Sequence, residues 1–525
     1  MAFYSILIRN GIILDGTGNK PYRADIGITE DKIKDIGDLS NATANEIINA
    51  MDYVVCPGFI DLTSHSDTYG TIFSSLGQES MLKQGVTTIL VGNCGESLAP
   101  ILNKDSLSNL SLWSKIGGFN INWNSMDGYY SALEKNGIGT NFGSLVGTNT
   151  LLKNSKNIGE ASLLLRRSFE EGAWGLSSNL SVNGSENGFR VNLLELLRVV
   201  KEWSGVHKVH LADEGRNLLP SVSVFISIAR ESGAKTVISH FKAIGRAAWK
   251  DFNKALQMIM RAKEEGVEIY IDTFPYLRTG SMLLSLIPGW AKSGSREEVL
   301  KNFADAEFVK KIITNLENIT LHPEKIVIAS ALRDKNIVGR TLAEVSEAAG
   351  IRPEEMIIEI LKVNELNVNI FGQTLHEKNL FELLKNKDVF ISSDGAGYNL
   401  DSQNFGDLVH PRSFGSYARF FSKIGKEAEL SPEEIIMRFS SMPAKVLGIS
   451  DRGQIKEKFV ADIAIFDPEA FKDTATYKNP FRYAEGMKFV IVGGKIALRD
   501  GEFENKKAGA ALRKRGSSLK NEQIR

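Results

Sequence analysis

Five short apolar runs in the sequence each lead to a side chain that can bind a metal ion. These side chains are a cysteine, three histidines and an aspartate: His65, Cys94, His210, His240 and Asp394. A thiolate combined with imidazoles is a donor set that suits zinc, and two or three such ligands leave coordination positions open for water. The pattern therefore predicts a zinc site that activates water, provided that the fold brings these residues together.

The runs that must position these residues alternate with stretches of helical periodicity. The runs are Val54-Val55 and residues 86–91, 206–210, 236–240 and 389–391, and the helical stretches include 161–171, 220–232 and 252–265. Short apolar strands separated by helices are typical of a parallel sheet. Because a (β/α)₈ barrel carries its chemistry at the carboxyl ends of its strands, the pattern predicts that α/β fold, a TIM-like barrel.

Each of these residues also has an ordinary structural interpretation. A lone strand-end histidine such as His65 commonly bonds its neighbours, and a lone Cys94 is commonly a small buried hydrophobe. Four such residues at four strand ends favour a metal site instead. Asp394 is either a turn or capping residue or, beside a cation, an ionised ligand or a base for the attacking water.

Three further residues could hold a substrate carboxylate. Lys242 lies two residues after His240, on the same side of an extended chain, and is either a solvated charge or an anchor. Arg412 could bind a carboxylate with two parallel hydrogen bonds. Tyr276 could donate its phenol to the same group or simply pack in the core.

Composition limits the classes of function and partner. The 525 residues include 63 basic and 63 acidic side chains, so no net charge favours nucleic acid or an anionic membrane. No apolar run approaches the ~20 residues of a membrane span. Two cysteines and no basic leader before the apolar first residues predict a cytoplasmic protein. The oligomeric state is not readable.

The pattern of predicted strands and helices differs between the chain ends and the middle. Residues 1–56 consist of short strands separated by turn residues, as in hairpins. Residues 446–525 show the same pattern, followed by a predicted solvated tail. Both ends are therefore expected to form one small β-sandwich. Residues 57–445 are expected to form the barrel. A more charged stretch at about 280–345 interrupts the rhythm and predicts an insertion or lid.

At these motifs the sequence resembles the amidohydrolase superfamily, and within it the N-acyl-D-amino-acid deacylase (D-aminoacylase) family. The resemblance runs nearly end to end. The matching motifs include 56–61, 85–88, Gly92-Asn93-Cys94-Gly95, 172–177, 272–276, Ser393-Asp394-Gly395, 410–415 and 472–477. It implies a barrel with a small β-sandwich, and zinc held tightly by Cys94, His210 and His240. It also implies a weaker metal position at His65, Cys94 and Asp394, and a substrate carboxylate at Lys242, Tyr276 and Arg412.

The sequence departs from this family at two positions. The first strand of the family usually ends His-x-His, and Thr63 stands at the first of those positions. A threonine hydroxyl is a poor zinc ligand, so the weaker position loses an anchor while the tight site loses none. Arg278 stands where the family tends to carry small polar residues.

Three functions are compatible with these residues. The first is a zinc amidohydrolase that removes the acyl group from small-molecule N-acyl amino acids, of D configuration by the resemblance. The second is a related enzyme that opens a cyclic amide such as a hydantoin or dihydroorotate, against which Cys94 counts because most of the superfamily uses a carbamylated lysine there. The third is a drifted, non-catalytic member, which Thr63 favours.

Overall fold

Strands from both chain ends share one sheet. A computed structural model of the chain describes residues 2–103, 121–180, 187–317 and 321–514. The sheet comprises β1 (Phe3–Ile13), β2 (Tyr22–Thr29), β3 (Lys32–Gly37), β4 (Thr43–Asn49), β5 (Val54–Pro57), β18 (Ile463–Phe466), β19 (Met487–Val492), β20 (Lys495–Arg499) and β21 (Glu502–Phe503). β5 joins the two halves, because it pairs with β1 in parallel and with β18 in antiparallel orientation. The run Val54-Val55 therefore belongs to this sheet, and its prediction as the strand before His65 is wrong.

The middle of the chain forms parallel strands. They are β6 (Phe59–Asp61), β7 (Val86–Val91), β8 (Asn141–Ser144), β9 (Val146–Gly147), β10 (Gly175–Asn179), β11 (Val206–His210), β12 (Lys235–Ile238), β13 (Ile269–Thr273) and β17 (Val389–Ile391). They pair in the orders β6-β7-β8 and β9-β10-β11-β12-β13-β17. Only Leu145 separates β8 from β9, and a parallel bridge joins Ser64 to Gly395. The predicted α/β class is confirmed.

Helices connect these strands, as the periodicity predicts. The helices at the three predicted stretches span Ile158–Glu170, Leu218–Ser232 and Phe252–Glu264. Asn157 begins the first of them by accepting a hydrogen bond from the backbone N–H of Glu160. The other described α-helices are Thr71–Ser74, Glu79–Leu82, Met126–Asn136, Thr148–Lys153, Asn187–Glu202, Arg246–Trp249, Arg296–Asn302, Ala306–Glu317, Leu342–Ala349, Pro353–Val363, Glu377–Leu384, Arg412–Arg419, Gly425–Glu427, Pro432–Phe439 and Ser441–Leu447.

The parallel strands are apolar on both faces. On the inner face, side chains from several strands form one buried cluster that includes Leu62, Leu90, Val206 and Phe390. On the outer face, alternate residues such as Val209 pack into a larger cluster with the helices. Because both faces are buried, the strands read as nearly continuous apolar runs.

The predicted insertion, which interrupts the alternation of strands and helices, forms a separate structural unit. Strands β14 (Thr279–Met282), β15 (Ile326–Ala331) and β16 (Val368–Gly372) form an antiparallel sheet. A buried cluster from Leu283 to Ile370 is distinct from the buried clusters of the other sheets. This unit continues beyond the end predicted at about 345, because β16 supplies its central strand.

The described part of the C-terminal tail packs against the chain. Gly509 and Ala511 form bridges with Ile138 and Phe142, and the guanidinium of Arg513 lies 2.8 Å from the carboxylate of Asp127. The predicted solvated tail is therefore wrong up to residue 514, and residues 515–525 lie outside the described part. Among the described residues, no helix is both long and apolar enough to cross a membrane.

Candidate metal centre

Three of the predicted ligands converge after strands β7, β11 and β12. The Cys94 Sγ atom lies 3.7 Å from His210 Nδ1 and 3.5 Å from His240 Nε2. The two histidine nitrogens are 3.1 Å apart. Within the described residues, this is the single group of at least three histidine, cysteine or acidic side chains whose ligand atoms all lie within 4.8 Å of one another.

These spacings fit a tetrahedral zinc ion. Zn–N bonds of ~2.0–2.1 Å and a Zn–S bond of ~2.3 Å place two nitrogens ~3.3 Å apart, and a nitrogen and a sulfur ~3.6 Å apart. The separations in the triad lie close to both values. One thiolate with two imidazoles also matches the preference of zinc for soft and borderline donors. Cys94, His210 and His240 can therefore hold zinc without rearrangement.

The backbone is in an uncommon conformation at three of the strand-end residues. Cys94, His240 and Asp394 have φ values of 55°, 41° and 49°. Non-glycine residues rarely occupy this left-handed region, and each instance costs roughly 1–3 kcal/mol. Strand-end residues in this conformation turn their side chains toward a common point. Such strain persists where the surrounding structure requires a particular side-chain direction, as at a metal centre.

The surroundings of Cys94 favour the thiolate form of its side chain. Burial alone would raise the pKa of Cys94, but hydrogen bonds with His210, His240 and His65 hold that pKa well below its usual range. Zinc binds the thiolate and not the thiol. The centre therefore presents its sulfur in the form that binds metal.

The far side of the His240 ring faces a carboxylate. His240 Nδ1 lies 3.3 Å from Glu214 Oε1, and Lys242 Nζ lies 2.7 Å from the Glu214 carboxylate and 2.8 Å from His240 Nδ1. Burial tends to raise the pKa of Glu214, but the Lys242 ammonium and the neighbouring histidines lower it to about 2. His240 Nδ1 therefore lies within reach of an acceptor, the ionised Glu214 carboxylate, and of a nearer donor, the Lys242 ammonium; only the tautomer that gives its Nδ1 proton to Glu214 leaves Nε2 free for metal. The sequence analysis missed Glu214, although it follows His210 by four residues.

His65 and Asp394 lie beside the triad and contact each other. His65 Nε2 is 3.1 Å from Asp394 Oδ1, and the Arg412 guanidinium is 2.6 Å from Asp394 Oδ2. Burial alone would raise the pKa of Asp394, but the Arg412 charge opposes it and holds that pKa well below its usual range. Asp394 is thus an ionised, buried carboxylate at the strand end where the sequence predicts it.

The three predicted carboxylate anchors differ in their surroundings. Lys242 is engaged with Glu214, as described above, and the buried Tyr276 hydroxyl donates to the Pro411 carbonyl at 3.3 Å. The Nε atom of Arg412 is buried and has no hydrogen-bond partner among the described residues. Arg412 also lines a cavity of about 540 Å³ that reaches strands β15 and β16.

Thr63 belongs to a buried network that the sequence analysis did not predict. Its Oγ1 donates to Asp272 Oδ2 at 2.8 Å and accepts from Lys208 Nζ at 2.5 Å. Lys208 and Asp272 are themselves 3.0 Å apart, and neither side chain is exposed. One signal was available in the sequence: Lys208 is a charged residue in the middle of an apolar strand, two residues before His210.

Parallel strands alternating with helices, with a cysteine–histidine triad at their carboxyl ends, define an α/β protein with a candidate metal centre at its strand ends. The profile of the Amidohydrolase family matches residues 230–497. The chain belongs to the amidohydrolase family.

Relatives of known activity match the chain over almost its whole length. A D-aminoacylase of Alcaligenes xylosoxydans xylosoxydans is 25% identical over 520 residues, which cover 97% of each chain. The crystal structure of an N-acyl-D-glutamate deacylase from Bordetella bronchiseptica, complexed with zinc and a phosphonate inhibitor, is similar with a TM-score of 0.81 and 25% identity, covering 97% of this chain and 99% of that one. A D-aminoacylase structure from a study of its binuclear metal centre has a TM-score of 0.79 at 24% identity, covering 97% and 100%. The predicted resemblance to D-aminoacylases is confirmed.

Proposed function

We propose that this protein is a zinc-dependent amidohydrolase that removes the acyl group from N-acyl-D-amino acids. The observation that carries the proposal is the triad of Cys94, His210 and His240, whose separations of 3.1–3.7 Å suit one zinc ion. The end-to-end similarity to a D-aminoacylase and to a zinc-containing N-acyl-D-glutamate deacylase supports the substrate class.

The fold supports this assignment. The parallel pairings from β6 to β17, the short interruption at Leu145 and the Ser64–Gly395 bridge support a closed (β/α)₈ barrel. In such a barrel the loops after the strands form the active site. The sheet built from both chain ends takes the position of the small β-sandwich in this proposal.

Asp394 is the proposed general base. When bound, zinc lowers the pKa of water to about 7 and polarises a carbonyl. The ionised Asp394 takes a proton from the attacking water and delivers it to the leaving amine. His65 holds one carboxylate oxygen and Arg412 holds the other, so the carboxylate has a fixed orientation before the substrate arrives. Glu214 keeps the His240 ring in the orientation that binds metal.

Arg412 is the proposed contact for the substrate carboxylate. Its Nη1 is committed to Asp394, but its buried Nε has no partner among the described residues. A substrate carboxylate at that nitrogen would satisfy it and would place the neighbouring amide near Asp394. The adjoining cavity of about 540 Å³ lies within the ~300–1,000 Å³ usual for small-molecule sites. Lys242 and Tyr276 remain predicted contacts for the same carboxylate.

A substrate panel tests the proposed function. The purified protein, supplied with zinc, is assayed for amine release from N-acetyl-D- and N-acetyl-L-amino acids and for ring opening of a hydantoin and dihydroorotate. We expect hydrolysis of the D series that disappears with a chelator and returns with zinc. Hydrolysis of the cyclic amides alone would overturn the proposal in favour of the cyclic-amide enzyme. No turnover of any substrate by zinc-loaded protein would favour the drifted, non-catalytic member.

A further inference from the structure

We infer that the ammonium of Lys208 takes the place of a second metal ion, so that this centre binds a single zinc. The inference rests on the proposed zinc site and concerns what limits the site to one ion. A binuclear metal centre has been studied in a structurally similar D-aminoacylase. In this chain the position next to the triad holds a buried ion pair of Lys208 and Asp272.

The Thr63 hydroxyl is already engaged by a carboxylate and by an ammonium. Its hydroxyl proton goes to Asp272 at 2.8 Å, and its oxygen accepts a proton from Lys208 at 2.5 Å. The residue is completely buried. A metal ion at the remaining lone pair of this oxygen would lie next to the Lys208 ammonium, whose positive charge opposes its binding.

Lys208 is positioned directly beneath the metal triad. Side chains alternate along a strand, so Val206, Lys208 and His210 of β11 share one face. Val206 packs in the inner apolar cluster, whereas His210 belongs to the triad. Lys208 therefore lies between the apolar interior and the metal ligands.

The Lys208 ammonium is a fixed internal cation. Its Nζ atom donates to the Leu62 carbonyl at 2.6 Å, to Thr63 Oγ1 at 2.5 Å and to Asp272 Oδ2 at 3.0 Å. Three acceptors match the three protons of an ammonium group. No part of the side chain is exposed, so solvent does not screen its charge from a nearby ion.

The remaining candidate ligands of a second metal are already engaged. Asp394 accepts from Arg412 at one carboxylate oxygen and contacts His65 at the other. Its negative charge is therefore balanced by a guanidinium. A second divalent ion would have His65 and a share of Cys94 as ligands, and the carboxylates of Asp272 and Asp394 that could offset its charge are already paired with Lys208 and Arg412. Neither the ligand number nor the charge favours such an ion.

Asp272 connects this internal cation to the triad. Its second oxygen accepts from the backbone N–H of His240 at 2.7 Å and from the Ser392 hydroxyl at 2.8 Å. Removal of Lys208 would leave Asp272 with three hydrogen bonds and an unbalanced charge. The position vacated by the Lys208 ammonium could then bind a metal ion, if a histidine at position 63 supplied the missing ligand.

Zinc stoichiometry tests the inference without reference to activity. The wild-type chain and variants are equilibrated with increasing free zinc and counted by elemental analysis, with circular dichroism to confirm folding. We expect one zinc per chain for the wild type across the titration, and two for Thr63→His combined with Lys208→Met. Thr63→His alone and Lys208→Met alone are matched controls, and each should stay at one. If the methionine double variant does not fold, Thr63→His combined with Lys208→Gln replaces it, because glutamine keeps polar atoms near the Leu62 carbonyl. This variant should also bind two zinc ions per chain.

Several outcomes would overturn the inference. A second zinc in the wild type, or in Thr63→His alone, would mean that Lys208 does not exclude it. A single zinc in both folded double variants would mean that these two residues do not account for the lost site. A wild-type chain with no zinc would instead overturn the proposed metal centre itself, which separates the two failures.

Discussion

Replacement of Arg412 by methionine tests both the substrate class and the proposed base. Methionine keeps an unbranched apolar stem but removes the guanidinium. In the wild type Arg412 is 6% exposed, its guanidinium lies 2.6 Å from Asp394, and its buried Nε has no hydrogen-bond partner among the described residues. The substitution should therefore have two separable effects, one on the substrate carboxylate and one on Asp394.

The first effect concerns affinity for the carboxylate in the transition state. A hydrogen bond to a charged group contributes about 1.5–3 kcal/mol, which corresponds to a ten- to hundredfold change in kcat/KM. N-acyl-D-amino acids should lose this factor, whereas the corresponding amides, which have no carboxylate, should not. The ratio of kcat/KM for acid over amide should therefore fall by about ten- to hundredfold.

The second effect concerns the pH profile. The Arg412 charge opposes burial and lowers the pKa of Asp394. Without that charge the carboxylate is protonated at higher pH, so the acid limb of kcat/KM should move upward for acids and amides alike. The assay is amine release from both substrate types between about pH 3 and about 9, a range that brackets the ordinary carboxylate pKa values of about 3.9–4.3.

Arg452→Met is the matched control, because Arg452 likewise pairs with a buried carboxylate, that of Asp462, directly before β18. It should leave the ratio of acid to amide unchanged. Equal losses on acids and amides in Arg412→Met would refute the contact with the substrate carboxylate. An unmoved acid limb would refute the role of Arg412 in keeping Asp394 ionised.

Three further substitutions test the remaining parts of the centre. Asp394→Asn should lower kcat by ~10²–10⁴ while zinc content stays at the wild-type value, and an unchanged kcat would make Asp394 a turn residue. Cys94→Ala removes the thiolate of the triad, so zinc should be lost on dialysis and added zinc should no longer raise the unfolding temperature; retained zinc would contradict the ligand set. Glu214→Gln weakens the partner of His240 Nδ1 and should lower zinc affinity ~10–100-fold in a chelator competition, whereas unchanged affinity would mean that this carboxylate does not orient the ring.

The sequence predicted the fold class because local periodicity is enough to distinguish strands from helices. The apolar run at 86–91 is β7, and the helical spacing at 252–265 is the helix Phe252–Glu264. The misassigned run was Val54-Val55, which is equally apolar but pairs with strands from the far end of the chain. Strand pairing between distant segments leaves no signal in one short run. The same reason explains why the insertion was predicted to end too early.

The sequence by itself determined which chemistry was available: a thiolate, imidazoles and a carboxylate, each at or just after a strand end. Only the tertiary structure decided which of these groups meet, and with which partners. Lys208 and Thr63 are 145 positions apart in the chain, yet their side chains share a buried hydrogen bond. Such contacts depend on the order and register of the parallel strands, which are set by packing across the whole interior. The sequence shows which residue types stand at positions 63, 208 and 272. Only the tertiary structure shows that their side chains contact one another near the proposed metal ligands.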